Sequence, residues 1–184
     1  MISNASAFYT LLKSKFPFTP TSKQDMALMQ LSQFIFDTTP NALFLLKGYA
    51  GTGKTSITGT IVSNLWQAKK SAVLLAPTGR AAKVISNYSK KEAFTIHKKI
   101  YFPKKDSGGG VKFVMQPNKH RNTIFIVDEA SMIPDAPSDS KLFENGSLLD
   151  DLMQYVYAGH KCKLLLIGDK AQLPPVKSDL SPAL

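Results

Sequence analysis

The chain has 184 residues, 43% of them apolar and 20% charged, and this balance is typical of one soluble globular domain. Lysine and arginine outnumber aspartate and glutamate by 23 to 13, so the formal net charge is +10. This surplus favours a polyanionic partner, nucleic acid above all, although an ordinary basic surface is the alternative. The single cysteine, Cys162, excludes an internal disulfide and a cysteine-built zinc site. With no signal-peptide pattern and no membrane span in view, we expect a cytoplasmic protein.

Two amphipathic helices are predicted before the first strand. The first covers residues 5–16 and ends before a pair of prolines, which interrupt any helix. Thr21 or Ser22 caps the second, whose apolar residues recur at roughly helical spacing. Residues 37–41 end this second helix.

Four apolar runs predict the strands of a sheet, at residues 42–46, 71–76, 123–127 and 163–167. Helices are predicted between them, at residues 56–66, 79–88 and 146–158. Strands that are apolar throughout and alternate with helices indicate a parallel sheet covered on both faces. The sequence therefore predicts an α/β fold.

A P-loop lies between the first strand and the helix that follows it. Residues 48–55 match the pattern G-x-x-x-x-G-K-[ST], which binds a nucleoside triphosphate with magnesium. Its glycines allow positive φ, so successive backbone N–H groups converge on one phosphate, and the helix dipole points at the same place. Lys54 is expected to reach the β- and γ-phosphates, and the Thr55 hydroxyl to ligate Mg²⁺. The predicted nucleotide-binding residues of this loop are Gly48, Ala50, Gly51, Thr52, Gly53, Lys54 and Thr55.

An acidic pair, Asp128 and Glu129, follows the third strand, where α/β sheets present functional residues. We predict that Asp128 binds the magnesium ion. Glu129 is predicted to orient and deprotonate the attacking water, which makes the reaction a hydrolysis. A solvated acidic turn is the alternative, but the P-loop favours the catalytic interpretation.

The fourth strand leads into residues 168–176, G-D-K-A-Q-L-P-P-V, a loop stiffened by two prolines. Gln172 is placed to hydrogen-bond the γ-phosphate and respond to its loss. From the residues alone, this role and a simple exit loop are equally well supported.

Five motifs stand in a fixed order, at residues 48–55, 76–82, 95–97, 126–132 and 168–176. Together they resemble motifs I, Ia, Ib, II and III of superfamily 1 DNA helicases of the RecD and Dda type. The phrases V-D-E-A-S-M and G-D-x-x-Q-L-P-P-V are highly specific to that group. The resemblance covers residues 20–182, nearly the whole chain.

The resemblance implies a role for each matching residue. Lys54, Glu129 and Gln172 are implied in catalysis, with Gln172 coupling the state of the γ-phosphate to the DNA groove. Gln24 matches the glutamine that reads adenine. The residues implied to contact the backbone of single-stranded DNA are Pro77, Thr78, Gly79, Arg80, Thr95 and His97. Without the resemblance, Arg80 would be a solvated helix residue and His97 a packing histidine.

The resemblance also implies the identity of the whole chain. Residues 1–184 correspond to the N-terminal RecA-like ATPase domain, called 1A, of a 5′ to 3′ helicase in DNA repair, recombination or plasmid transfer. ATP and Mg²⁺ are the implied cofactors, and single-stranded DNA and its junctions with duplex are the implied partners. The second RecA-like domain, which supplies an arginine finger worth about 10³–10⁵ in rate, is absent. We therefore expect the isolated chain to bind ATP weakly, hydrolyse it poorly and unwind nothing.

Residues 98–122 fall outside the alternation of strands and helices. Two strand-like runs, 101–102 and 111–114, flank a basic, glycine-rich stretch and predict a β-hairpin. Its position between motifs Ib and II resembles the inserted 1B subdomain, which in RecD-like enzymes carries the pin that splits the duplex. Our hypothesis is that this hairpin is the pin, and a surface loop is the alternative.

Two other functions compete with the helicase motor. One is a P-loop ATPase of another class that acts on proteins, such as an AAA-type remodeller. The other is a module that binds nucleotide without hydrolysing it. Residues 168–176 favour the motor over the remodeller, and Glu129 argues against a module without turnover.

Overall fold

The helices and strands that position the site come from a computed structural model, which describes residues 1–105, 110–134, 147–169, 181 and 183–184. Within these residues the chain order is α1 (Ala5–Lys15), α2 (Ser22–Phe36), β1 (Leu43–Lys47), α3 (Lys54–Asn64), β2 (Ser71–Ala76), α4 (Gly79–Ser89), β3 (Ala93–Thr95), α5 (Ile96–Ile100), β4 (Tyr101–Lys105), β5 (Val111–Met115), β6 (Thr123–Val127), α6 (Leu148–Tyr157) and β7 (Lys163–Gly168). Short 3₁₀ turns follow α3 and β6, at Leu65–Ala68 and Ala130–Met132.

Five strands form one parallel sheet in the order β1-β7-β6-β2-β3. Because all five run in the same direction, their carboxyl ends meet at one edge of the sheet, the carboxyl edge, and their amino ends meet at the opposite amino edge. β7 is the last strand in the chain but lies between β1 and β6. The predicted α/β fold with a parallel sheet is confirmed.

The core has two layers, one on each face of the sheet. Along each central strand, alternate side chains enter opposite layers. Leu74 and Ile126 pack with α1 to α4, whereas Leu75 and Val127 pack with α5 and α6. Burial on both faces explains why these strands are apolar without interruption.

Strand β1 departs from this pattern at one face. Its Leu46 is buried against the first layer, but Leu43 and Leu45 on the other face are 41% and 39% exposed. β1 is an edge strand of the sheet, and the exposure of Leu43 and Leu45 shows that the described residues leave this face open. An apolar run therefore predicts a strand here without predicting two buried faces.

The β3 strand and helix α5 have no clear signal in the sequence. They contain three and five residues, too few to show a strand or helix period. Pairing with β2 places β3 in the sheet, and the Thr95 hydroxyl oxygen accepts from the Lys98 N–H at 3.2 Å to begin α5.

The predicted hairpin is present as the antiparallel pair of β4 and β5. Its tip, residues 106–109, lies outside the described residues. The base is fixed to the domain by the buried Tyr101, whose hydroxyl donates to the Asp151 carboxylate of α6. The arm is therefore anchored at one end, while Lys104 and Lys105 on β4 are exposed.

Helix α2 shows how local sequence sets an element boundary. The Thr21 hydroxyl accepts from the Gln24 backbone N–H, and the Gln24 side chain accepts from the Thr21 N–H, which together form a capping box. With 15 residues, α2 is the longest described helix. No helix in the described ranges combines the length and apolar character needed to cross a bilayer.

Candidate nucleotide-binding site

The P-loop connects the carboxyl end of β1 to the start of α3. Gly51 and Gly53 have φ values of +76° and +88°, which residues with a side chain rarely adopt. A Cβ on Gly53 would also lie 2.4 Å from Nε2 of Gln24. The glycine at this position is therefore required both by backbone conformation and by the close approach of α2.

Helix α3 differs from the other five α-helices of the described residues in how it begins. In each of the others, a first-turn N–H donates to the side-chain oxygen of the N-cap residue, which is Asn4, Thr21, Thr78, Thr95 or Ser147. The N-cap of α3 is Gly53, which makes no such bond. The first-turn N–H groups of α3 thus lack the acceptor that the other helices have, and a helix start of this kind suits an anion.

Lys54 is the first residue of α3, and its ammonium group folds back over the loop. It donates to the carbonyl oxygens of Gly48 at 2.6 Å and Tyr49 at 2.9 Å. The positive charge is therefore held beside the uncapped helix start. Thr55, the predicted metal ligand, is the next residue and is exposed. The P-loop backbone, the Lys54 ammonium group and the Thr55 hydroxyl together fit a magnesium-bound polyphosphate.

Gln24 joins α2 to the P-loop. Its Oε1 accepts from the Thr21 N–H at 2.9 Å, and its Nε2 donates to the carbonyl oxygen of Thr52 at 3.0 Å. This side chain, 28 residues before its partner, therefore supports the loop directly. One N–H and one oxygen lone pair of the amide remain beyond these two bonds.

The Asp128 carboxylate is held from two sides at the end of β6. Its Oδ1 accepts from the Glu129 N–H at 3.0 Å, and its Oδ2 accepts from the Tyr88 hydroxyl at 2.7 Å. Tyr88 lies in the last turn of α4, 40 residues away, and no motif in the sequence marks it. Burial, and then the negative charge of Asp128, raises the pKa of the Tyr88 hydroxyl, so it stays protonated and donates.

Glu129 has a left-handed backbone, with φ of +56°. A residue with a side chain in this conformation costs about 1–2 kcal/mol, and such strain concentrates at functional sites. The turn begins the 3₁₀ segment Ala130–Met132 and redirects the chain immediately after Asp128.

Strand order brings the P-loop and the acidic pair to the same edge. Only β7 separates β1 from β6, and neighbouring strands are about 4.8 Å apart, so the two strand ends lie roughly 10 Å from each other. Asp169 follows β7 between them and is 2% exposed. Asp169 belongs to the motif at residues 168–176, but the sequence indicates no role for it. Only the strand order shows that it lies between the P-loop and Asp128.

The residues predicted to contact DNA gather beside this site. Ala76 pairs with Thr95 across β2 and β3, so the segments that begin at Pro77 and Thr95 are neighbours. The Thr78 hydroxyl oxygen caps α4 by accepting from the Ala81 N–H at 3.2 Å, and each capping threonine keeps its O–H as a donor. Gly79 and Arg80 in the first turn of α4 are exposed.

His97 differs from Arg80 in that its side chain packs beside an aromatic ring. Its ring lies 5.9 Å from the Tyr101 ring, and burial lowers the pKa of the imidazole below its usual range. The imidazole is therefore neutral at pH 7 in the absence of DNA. Gln172 lies outside the described residues, so its role stays a prediction.

A five-stranded parallel sheet with a P-loop after one strand and an acidic pair after another defines a RecA-like P-loop ATPase domain. The family model AAA_19, described as an AAA domain, matches residues 32–178, and the chain belongs to this family.

Individual relatives are consistent with this assignment. The chain is 33% identical over 135 residues to the ATP-dependent DNA helicase dda of Enterobacteria phage T4, covering 72% of this chain and 28% of the relative. It is 32% identical over 139 residues to the ATP-dependent RecD2 DNA helicase of Deinococcus radiodurans, covering 75% and 17%. A third relative, the uncharacterized protein MJ1519 of Methanocaldococcus jannaschii, is 28% identical over 163 residues, covering 83% and 13%. These matches confirm the resemblance to RecD- and Dda-type helicases, although the chain spans less than a third of each relative's length.

Proposed function

We propose that this chain is the ATP-binding motor domain of an ATP-dependent DNA helicase. The observation that carries the proposal is the uncapped start of α3 beside Lys54, facing the held carboxylate of Asp128 across the width of β7. Two relatives that share this region are named DNA helicases. The excess positive charge of the chain suits a nucleic-acid partner.

The nucleotide site is proposed as follows. The N–H groups of the P-loop and of the first turn of α3 bind the phosphates, Lys54 neutralises them, and the Thr55 hydroxyl and Asp128 hold magnesium. When bound, ATP with Mg²⁺ supplies the phosphoryl group whose transfer to water releases energy. Glu129 orients the water and accepts its proton, and Gln172 responds to the γ-phosphate.

Gln24 is proposed to read the adenine base. Glutamine recognises adenine by pairing one acceptor and one donor with the base edge. The N–H and lone pair that remain on Gln24 after its bonds to Thr52 and Thr21 supply this pair. The same side chain then connects base recognition to the P-loop backbone.

The DNA contact is proposed at the carboxyl ends of β2 and β3. The Thr78 and Thr95 hydroxyls, the N–H groups at the start of α4 and the Arg80 guanidinium all suit phosphate oxygens. Beside them, a groove of about 340 Å³ is lined by aromatic and basic side chains, which suits a stacked base. Its lining residues are His97, Lys98, Tyr101, Phe102, Pro103 and Phe113.

Charge separates the roles of Arg80 and His97 in this contact. Arg80→Ala should reduce the slope of log affinity against log salt by about 1, because one phosphate contact is lost. His97→Ala should change the slope less than Arg80→Ala does, because an imidazole with a lowered pKa carries less positive charge than a guanidinium. Fluorescence anisotropy with a labelled single strand at several salt concentrations measures both. A slope change for His97→Ala as large as that for Arg80→Ala, or none for Arg80→Ala, contradicts the proposed contact.

The hairpin of β4 and β5 is proposed as the pin, and residues 98–122 as an inserted 1B element. Its support is the anchored base at Tyr101 and the exposed lysines along the arm. Deleting residues 104–110 from the complete protein should reduce unwinding while DNA-stimulated ATP hydrolysis survives. Equal loss of both activities, or of neither, would count against the pin.

Unwinding requires more than this domain. We propose that it acts with a second RecA-like domain in the complete protein, moves 5′ to 3′, acts at junctions of single and double strands and works in the cytoplasm. The isolated 184 residues should then bind ATP weakly and hydrolyse it poorly. Robust unwinding by these residues alone would refute this part of the proposal.

The deciding experiment measures ATP hydrolysis by the complete protein with and without single-stranded DNA. We expect stimulation by DNA, and loss of turnover in Lys54→Ala but not in the control Lys15→Ala, which changes an exposed lysine of α1. Stimulation by an unfolded protein instead of DNA would favour a protein remodeller. Nucleotide binding without turnover would favour a switch-like module, and activity retained by Lys54→Ala would exclude the proposed site.

A further inference from the structure

Helix α4 connects two parts of the proposed site. Its first turn carries Thr78 as cap and Arg80, and its last turn carries Tyr88. Since a helix rises 1.5 Å per residue, these turns lie about 14 Å apart. The far end of α4 therefore reaches the carboxylate proposed to hold the metal.

The Tyr88 hydroxyl makes one specific contact there. It donates to Oδ2 of Asp128 at 2.7 Å, while Oδ1 accepts from the Glu129 N–H. The carboxylate therefore has one side-chain donor and one backbone donor, each on a different oxygen. Groups that hold a metal-binding carboxylate in this way fix its orientation, and losing one typically costs about 10–100-fold in metal affinity or activity.

Packing alone does not account for a tyrosine at this position. The ring of Tyr88 packs against the first core layer, beside residues such as Ile85. A phenylalanine would fill the same space but would leave Oδ2 of Asp128 without its side-chain donor. The core therefore needs only the ring of Tyr88, whereas the Asp128 carboxylate needs its hydroxyl.

We propose that Tyr88 is a positioning residue of the metal site, whose hydroxyl holds Asp128 in the orientation that a magnesium-bound nucleotide requires. This inference rests on the proposed function of the site. It assigns Tyr88 no contact with nucleotide or metal. Its effect is expected only where the metal takes part.

The chain contains a matched pair for comparison. The Tyr9 hydroxyl donates to Oδ1 of Asp25 at 2.7 Å, between α1 and α2, and Oδ2 of Asp25 accepts from the Lys13 ammonium group at 3.0 Å. Tyr9→Phe thus removes a bond of the same type and length from a carboxylate that is not proposed to hold metal, although Asp25 follows Gln24 in the chain. Tyr88→Phe and Tyr9→Phe each remove a hydroxyl donor from a carboxylate that keeps a second donor, but only Tyr88→Phe removes it from the proposed metal site.

The test measures the affinity of a fluorescent, non-hydrolysable ATP analogue for the complete protein, with saturating Mg²⁺ and with EDTA. The ratio of the two affinities isolates the contribution of the metal. Tyr88→Phe should lower this ratio by about tenfold or more, with the EDTA affinity unchanged. Tyr9→Phe should leave this ratio as it is in the wild type, because Asp25 is not proposed to hold metal. In an Asp128→Ala background, Tyr88→Phe should have no further effect on the ratio, since the carboxylate it positions is gone.

The possible results separate the inference from the function on which it rests. Wild-type protein that binds no analogue under either condition refutes the nucleotide site itself. A wild type that needs Mg²⁺, together with an unchanged ratio in Tyr88→Phe, overturns the inference alone. Equal loss of both affinities with a lower melting temperature would show that Tyr88 acts only by packing. An effect that persists in the Asp128→Ala background would also overturn it.

Discussion

The two edges of the sheet use the same unusual backbone conformation in opposite ways. At the amino edge, each of the five strands is preceded within three residues by a left-handed residue that is not glycine. These residues are Asn41, Lys69, Lys90, Asn122 and Lys161. At the carboxyl edge, the left-handed residues in the described part of the chain are Gly51, Gly53 and Glu129.

Backbone hydrogen bonds explain the difference. At the amino edge the chain satisfies itself, because the Ser71 N–H donates to the carbonyl oxygen of Asn122 at 3.1 Å and the Asn122 N–H to that of His160 at 2.9 Å. At the carboxyl edge, α3 begins without the side-chain cap that the other described helices have. At the amino edge the left-handed turns serve the fold, because their backbone groups bond one another. At the carboxyl edge the left-handed turn suits a ligand, because backbone N–H donors there have no side-chain acceptor.

A cavity of about 450 Å³ opens at the amino edge, yet its most buried cation serves the fold. Lys163 is 5% exposed, and its ammonium group donates to the carbonyl oxygens of Phe34 and Asp37 at the end of α2. Burial lowers the pKa of this ammonium group, while the nearby Asp37 charge opposes the shift. Lys54 also bonds two carbonyl oxygens, but they belong to its own loop at the opposite edge.

The largest predicted effect is at the carboxyl edge. Glu129→Gln should reduce ATP turnover of the complete protein by about 10²–10⁴-fold, because the general base is lost, while nucleotide binding remains. A phosphate-release assay beside a binding measurement checks both. The control Glu92→Gln changes an exposed glutamate and should keep full turnover. Turnover retained by Glu129→Gln would remove this residue from the chemistry.

Gly53→Ala tests the role of the left-handed P-loop. The left-handed conformation costs a side chain about 1–2 kcal/mol, and Gln24 must move away, so nucleotide affinity should fall roughly 5–30-fold. Gly59→Ala is the control in the same helix, since its added Cβ meets nothing within 4 Å. Titration of a fluorescent ATP analogue compares the two. Equal affinities in both variants would show that the conformation of Gly53 is not needed for binding.

Lys163→Met tests the amino edge. Loss of the ammonium group leaves two carbonyl oxygens at the end of α2 without their donor, so the free energy of unfolding should fall by about 1–3 kcal/mol. Nucleotide affinity should not change, because the site is at the other edge. Lys161→Met, at an exposed neighbour, should have little effect on urea unfolding. A loss of nucleotide affinity in folded Lys163→Met would mean that the two edges are coupled.

Lys69→Gly has the smallest predicted effect and the opposite sign. Glycine relieves about 1–2 kcal/mol of left-handed strain and costs about 0.5–1 kcal/mol of backbone entropy, so stability should rise by about 0.5 kcal/mol. Urea unfolding measures the change, with Lys69→Ala as the control that keeps the strain. A stability decrease would show that the lysine side chain itself matters at this turn.

The sequence alone was sufficient for features that depend on short-range patterns. Continuous apolar runs predicted four of the five sheet strands, and the P-loop pattern predicted the turn between β1 and α3. The hairpin of β4 and β5 and a cap at Thr21 or Ser22 were also predicted, because each is determined by residues close together in the chain, and the structure has the cap at Thr21. The roles of the site residues, Gln172 included, stay predictions.

Only the tertiary structure determined which distant residues meet. The sheet order placed β7, and with it Asp169, between the P-loop strand and the strand of Asp128. The fold paired Tyr88 with Asp128 across 40 residues and left one face of β1 exposed. A single hydrogen bond between distant residues produces no periodicity in the sequence, and an edge strand has the same apolar run as a central one. Packing of the layers around the sheet therefore decides both the Tyr88–Asp128 hydrogen bond and the exposure of β1.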